Sequence, residues 1–233
     1  MNFIEVLFLS IIQGIGEFLP ISSSTNLMLF SKLFGFYDFS FLLKISLHVG
    51  SLLALVIYCR RVFWTIILGL FTKKVKLSQT AFGTMIYGTI PVITLGILFH
   101  DFIKDFNSPK LSWFILIVFG VLLWWIDTVF SQKANQHSFM STGIRDLFIG
   151  CCQAMAIFPG VSRLGICITA CRLFHMERSQ AISTSLLLAI PSICGSLILE
   201  LIKMYKTNTL YVLDNNILLS VLMTGTIGLL VLK

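Results

Sequence analysis

Long apolar runs broken by short polar segments dominate this chain. Thr80 to Phe99 form twenty positions without a charge, Ala181 to Leu199 nineteen, and Asn215 to Leu232 eighteen. Each run is long enough for a transmembrane helix. Ile45 to Cys59 and Leu111 to Ile126 are shorter, ending at Arg60-Arg61 and near Asp127, and flanking residues complete them. Five spans are expected. Two further apolar regions are interrupted. Met1 to Phe36 contains Gly14, Gly16, Pro20 and Ser22-Ser23-Ser24, and Asp146 to Phe174 contains Pro159-Gly160 and Gly165. Breaks at membrane depth leave backbone groups unpaired unless protein or a watery cavity surrounds them, so both regions read as re-entrant helix pairs.

Composition excludes the alternatives to a membrane protein. Of 233 residues, 57% are hydrophobic and 12% charged, about half the usual charged quarter of a soluble domain. A mean hydropathy of +0.94 leaves too little polar surface for a water-exposed globule, and excludes disorder. The expected fold is an all-α, polytopic integral membrane protein. Net charge is +7, which in such a chain bears on orientation or an anionic substrate and not on nucleic acid. The six cysteines form no CxxC pair, so they read as packing residues. The N-terminus carries Glu5 and Glu17 and lacks a basic leader, so it reads as retained structure and not a cleaved signal.

Placing both broken regions as hairpins that enter and leave by one face puts nine basic residues on one side: Arg60, Arg61, Lys73, Lys74, Lys76, Lys133, Arg145, Arg172 and Arg178. Six lie opposite: Lys32, Lys44, Lys104, Lys110, Lys203 and Lys206, offset by Asp38, Asp101, Asp105 and Asp214. The richer face is read as cytoplasmic. Phe63 to Thr72 is left between an interfacial helix and a continuation of the preceding span. The first hairpin then opens outward and the second inward, as in an inverted repeat. Gln13 and Gln153, Pro20 and Pro159, and Gly50-Ser51-Leu52 and Gly195-Ser196-Leu197 recur in order at similar spacing. The expectation is one transmembrane domain, with repeats of about 1–130 and 146–233 whose broken loops meet near the midplane.

Those loops carry the chemistry. In the first, Gln13 to Asn26, Pro20 is expected to stop one helix and the serines to cap the next. A carboxylate near mid-bilayer costs about 2.5 to 3.5 kcal/mol, so Glu17 requires a partner or a function. In the second, Phe158 to Gly165, glycines permit close backbone approach, a helix N-terminus follows, and Arg163 supplies a fork for phosphate oxygens. The structural alternatives are a snorkelling Glu17 behind serine caps and a plain Arg163–Glu17 ion pair. Taken together, the loops suit phosphoryl chemistry on a lipid phosphate. Arg163 neutralises the phosphoryl oxygens, Ser23 or an activated water attacks, and Glu17 binds a divalent cation or handles a proton.

Gln13 to Ser24, the Pro159-Gly160-Val161-Ser162-Arg163-Leu164-Gly165 loop, Asp146 with Gln153, and Ser46 to Ala54 together resemble the undecaprenyl-diphosphate phosphatase family of bacteria, linked to bacitracin resistance. The resemblance covers nearly the whole chain. It implies hydrolysis of undecaprenyl diphosphate to undecaprenyl phosphate and inorganic phosphate, recycling the carrier for peptidoglycan synthesis. It implies a multi-pass protein of the cytoplasmic (inner) membrane with its site open to the periplasmic face, and a divalent cation, Mg or Ca. Bacitracin would compete for the lipid, and an oligomer is compatible. By position, Gln13 and Glu17 match the family's Glu/Gln-x-x-x-Glu pair and a metal site, Ser23 its nucleophile, and Arg163 its phosphate-binding arginine. Ser22, Ser24, Gly160 and Ser162 are expected beside the phosphate. The family usually has histidine at Asn26, serine at Leu164 and threonine at Cys167, and one further C-terminal helix.

Asn26 cannot act as a base, which leaves His48, Glu17 and a metal-bound water as alternatives. A histidine on an apolar helix is commonly a hydrogen-bonded packing residue, which is the competing reading of His48. His100, His137 and His175 fall near span ends and read as surface residues. Two other functions fit the same loops: a lipid-phosphate transporter or flippase, and a family member weakened by its three departures.

Overall fold

A computed structural model describes residues 2–35, 41–72, 80–103, 108–130, 142–206 and 215–233. Lys73, Lys74, Lys76, Lys104, Lys133, Asp38, Asp105, Asp214 and His137 lie outside the described residues, as do the side chains of His100 and Asp101.

The described residues are helical. In order they are α1 (Phe3–Gly16), α2 (Ser23–Phe34), α3 (Phe41–Tyr58), α4 (Arg60–Thr72), α5 (Ala81–Ile103), α6 (Pro109–Phe130), α7 (Thr142–Ala154), α8 (Arg163–Leu173), α9 (Arg178–Lys206) and α10 (Asn215–Val231), with a 3-10 turn at Met155–Ile157. α5, α6 and α9 are long and apolar enough to cross a membrane. α3 and α4 pass that test together but bend by 64° at their junction, so Phe63 to Thr72 is not a straight continuation of the span. α10 has 17 residues against the eighteen of the charge-free run, and Leu232, just past its end, still donates its N–H to the Gly228 carbonyl at 3.0 Å.

Both interrupted regions form helix, break, helix. In the first, α1 runs to Gly16, and helical N–H bonds continue beyond it, from Glu17 to the Gln13 carbonyl at 3.0 Å and from Leu19 to the Ile15 carbonyl at 3.2 Å. They stop at Pro20, which has no N–H to donate, as expected of a proline.

The two halves exchange helices. α10 packs on α1 and α3, while α5 packs on α7 and α9. Small residues permit each approach. A Cβ at Gly50 of α3 would strike Val221 and Thr224 of α10, and one at Gly150 of α7 would strike the backbone of Gly88 on α5. Lipid tails are as apolar as the helices, so close van der Waals packing at glycines and buried hydrogen bonds do the work that water-driven burial does elsewhere. One such bond joins each exchanged helix to its host: Ser46 with Ser220 at 2.5 Å, and the Thr84 hydroxyl to the fully buried Asp146 at 2.7 Å. Arg145 balances the Asp146 charge at 3.0 Å. The main apolar core lies between α3, α8 and α9, and Phe18 from the first break is anchored in it.

The histidines near span ends are less uniform than expected. His175 is half-buried, adopts a left-handed φ of 58° and meets the ring of Phe130 at 5.0 Å. It follows α8 at the position where a left-handed residue closes a helix. All six cysteines are free, with Cys59, Cys167 and Cys171 buried.

Candidate active site

The two breaks meet. Gly165, in the first turn of α8, leaves only enough room for Pro20, whose Cβ would lie 3.3 Å from a Cβ at that position. Gly16 lets Ser23 fold back onto the end of α1, with the Ser23 Cα 3.1 Å from where a Cβ would stand. These approaches bring a carboxylate, a hydroxyl and a guanidinium together. Glu17 Oε1 accepts from Arg163 Nη2 at 2.6 Å, and Glu17 Oε2 accepts from Ser23 Oγ at 2.6 Å and from Gln13 Nε2 at 2.9 Å. The Glu17 side chain is 6% exposed and that of Arg163 24%. This is not a snorkelling carboxylate.

Beside them lies a cavity of about 90 Å³ lined by polar Glu17, Ser22, Ser23, Ser24, Ser162 and Arg163 and by small or apolar Gly16, Ala156, Val161, Leu164 and Ala189. α2 and α8 both begin at this cavity. Helix N-termini present N–H groups and a positive dipole end, so two of them facing one cavity favour an anion. The serine caps expected from sequence are divided. Ser162 caps α8, accepting from the Gly165 N–H at 3.2 Å. At α2, however, Ser22 sits in the left-handed region and makes no side-chain cap bond, while its hydroxyl pairs with Thr25 at 3.0 Å. The N-terminus of α2 is therefore left without a side-chain cap.

The other expected residues divide by place. Gly160 is not among the cavity-lining residues; its φ of 103° and its close approach to the Ser112 carbonyl on α6 make it a packing and turn residue. His48 is buried and does not line the cavity, and its Nδ1 lies 3.0 Å from the Lys44 carbonyl, the packing arrangement. Gln13 is fully buried, and its Oε1 has no hydrogen-bond partner among the described residues. Sequence reasoning missed Ala156 and Ala189 on the cavity wall and the bond from Asn26 Nδ2 to the Ile21 carbonyl at 2.9 Å. An alanine in an apolar run carries no signal of a cavity. The amide in a serine-rich turn did carry one, since Asn commonly bonds to nearby backbone.

Gln13 and Glu17 offer donor types that a hard divalent cation takes: the Gln13 amide oxygen has no partner among the described residues, and its Nε2 bonds the Glu17 carboxylate at 2.9 Å, although Gln13 does not line the cavity. Ions of the magnesium class take one or two carboxylates and complete their shell with water and substrate phosphate. No cluster of three or more His, Cys, Asp or Glu side chains occurs among the described residues, so substrate oxygens would supply the rest.

Residues 6–233 match the protein family described as bacitracin resistance protein BacA. The chain is 38% identical over 205 residues to an undecaprenyl-diphosphatase of Pelagibacter ubique, an alignment covering 86% of this chain and 75% of that protein. It is 39% identical over 202 residues to undecaprenyl-diphosphatase 2 of Stutzerimonas stutzeri, covering 83% and 74%. Against undecaprenyl-diphosphatase 4 of Bacillus cereus the figures are 36% over 209 residues, covering 88% and 76%.

Proposed function

Since this chain belongs to the bacitracin resistance protein BacA family, we infer that it is a membrane phosphatase that hydrolyses undecaprenyl diphosphate to undecaprenyl phosphate and inorganic phosphate. The observation that carries the residue assignment is the shared carboxylate of Glu17, bonded at once to the Ser23 hydroxyl and to Arg163.

Each group has a task. Ser23 Oγ, already donating to Glu17 Oε2 at 2.6 Å, attacks the terminal phosphorus as Glu17 takes its proton. The bond from phosphorus to the bridging oxygen breaks, and undecaprenyl phosphate leaves with those electrons. Arg163 spends one donor on Glu17, and the others are suited to equatorial phosphoryl oxygens, together with the N–H groups opening α2 and α8. Water then attacks the phosphoserine, the serine is restored, and inorganic phosphate departs. Gln13 and Glu17 would hold a divalent cation, magnesium or calcium, which when bound neutralises charge on the diphosphate. Ser22, Ser24 and Ser162 line the same cavity and would position oxygens. The geometry favours Glu17 over His48 as the base, because Glu17 and not His48 touches the nucleophile.

The proposed setting is the cytoplasmic membrane, with the site serving diphosphate at the outer face, recycling the carrier lipid and so opposing bacitracin, which takes the same lipid. Helix ends support that orientation. Lys44 at the start of α3 bonds Glu200 near the end of α9 at 3.4 Å, so Arg60 and Arg61 beyond α3 lie toward Arg178 at the start of α9, one basic face.

The test is phosphate release from a polyprenyl diphosphate by purified protein in detergent with magnesium. Release that is lost in Glu17→Ala and Arg163→Ala is expected. Lipid binding without release would make the protein a carrier, and release unchanged in both variants would overturn the site.

A further inference from the structure

Asn26 lies one turn into α2, where the resemblance places a histidine, yet it is not among the cavity-lining residues. Its side-chain amide donates to the Ile21 carbonyl at 2.9 Å, and its backbone N–H donates to the Ser22 carbonyl at 3.1 Å. One residue thus holds two successive carbonyls. They flank Ser22, whose φ of 55° and ψ of 88° fall in a region that residues with a Cβ disfavour. Such a conformation persists only when its surroundings over-determine it, and it is commonly found at functional sites. Ser22 also directs the start of α2, and the next residue is Ser23, whose hydroxyl meets Glu17 at 2.6 Å.

We propose that Asn26 is a positioning residue: its amide clamps the Ile21 carbonyl, holds Ser22 in its left-handed conformation, and thereby sets the Ser23 hydroxyl against Glu17. This rests on the phosphatase reading of the same cavity. The clamp needs an N–H donor at position 26 and not a base. An imidazole N–H supplies a donor as well as an amide does, so asparagine here preserves the arrangement.

Phosphate release from a polyprenyl diphosphate in detergent with magnesium tests the clamp. Asn26→Ala and Asn26→Asp, which lack the donor, are expected to lower kcat about tenfold with KM changed less than about twofold. The loss should shrink when Asn26→Ala is made together with Ser22→Gly and compared with Ser22→Gly alone, because glycine adopts φ near 55° without a Cβ penalty. Asn26→His should keep kcat within about threefold, with no new ionisation near pH 6.5 in its pH profile. Hydrogen exchange gives a readout independent of turnover: the amides of residues 21–25 should exchange faster in Asn26→Ala. If Asn26→Ala does not fold, Asn26→His carries the test.

An equal loss in both Ser22 backgrounds, unchanged exchange, or a large gain with a new ionisation in Asn26→His would overturn the clamp. Wild type that releases no phosphate would overturn the phosphatase reading instead, and the exchange result would still decide the clamp.

Discussion

Two buried glutamines, one before each break, show how differently the halves are finished. Gln153 uses both ends of its amide: Nε2 donates to Ser192 at 2.6 Å, and Oε1 accepts from the Cys167 thiol at 3.1 Å. Gln13 uses Nε2 on Glu17 and leaves Oε1 without a partner among the described residues. One turn after Gln13 stands a carboxylate, and one turn after Gln153 stands Ile157. The second helix of the first hairpin lacks a side-chain cap, whereas Ser162 caps its counterpart. Buried polar groups are nearly always satisfied, so the open oxygen of Gln13, whose Nε2 bonds the Glu17 carboxylate, sets this glutamine apart from Gln153. From the second half Arg163 reaches Glu17 across the junction, and Ser162, Val161 and Leu164 line the cavity beside it.

The largest effects should come from the shared carboxylate. Glu17→Ala, Arg163→Ala and Ser23→Ala are each expected to lower kcat/KM by about 10³ or more in the phosphate-release assay. Arg163→Lys should remain down by about 10², because a point charge cannot reproduce the planar fork. A mild effect at any of these would dissolve the contrast between the halves.

The glutamines test it directly. Gln13→Ala should reduce turnover about tenfold and raise the magnesium concentration needed for half-maximal rate. Gln153→Ala should leave turnover within about threefold while costing about 1–2 kcal/mol of stability, measured by denaturation in mixed micelles, since it removes the bonds to Ser192 and Cys167. Equal catalytic losses would mean that both halves are functional. The smallest effect belongs to the exchanged helix: Thr84→Val removes the donor to Asp146 and should cost about 1 kcal/mol with turnover intact, because Arg145 still pairs that carboxylate.

Much of this was legible in the chain. Glu17 and Arg163 are charges inside interrupted apolar stretches, where such residues are expensive and so informative, and they do meet. Gly160 was misleading, because a glycine needed for packing against Ser112 looks the same in sequence as one needed beside a phosphate. The serines of the first break looked like caps, yet Ser22 took a left-handed conformation instead. Local capping preference is worth about 1 kcal/mol, small enough for the meeting of two loops to override it. His48 stood out as a histidine in a span, and its ring nitrogen is occupied by the backbone of its own helix.

Run length and charge alone were sufficient for the all-α membrane class, for the two broken segments and for the pair of opposite charges at their centres. Those features depend on solvation, which each residue meets whatever its neighbours are. Which groups touch was settled in three dimensions. Packing at Gly16 and Gly165 decides that Ser23 reaches Glu17 and that Pro20 meets α8. The exchange of α5 and α10 decides which glycines are contacts, and the orphaned oxygen of Gln13 exists because Ser51 and Glu17 draw only on its nitrogen. Hydrogen bonds and close packing act over about 3 to 4 Å between residues far apart in the chain, so no local pattern encodes them.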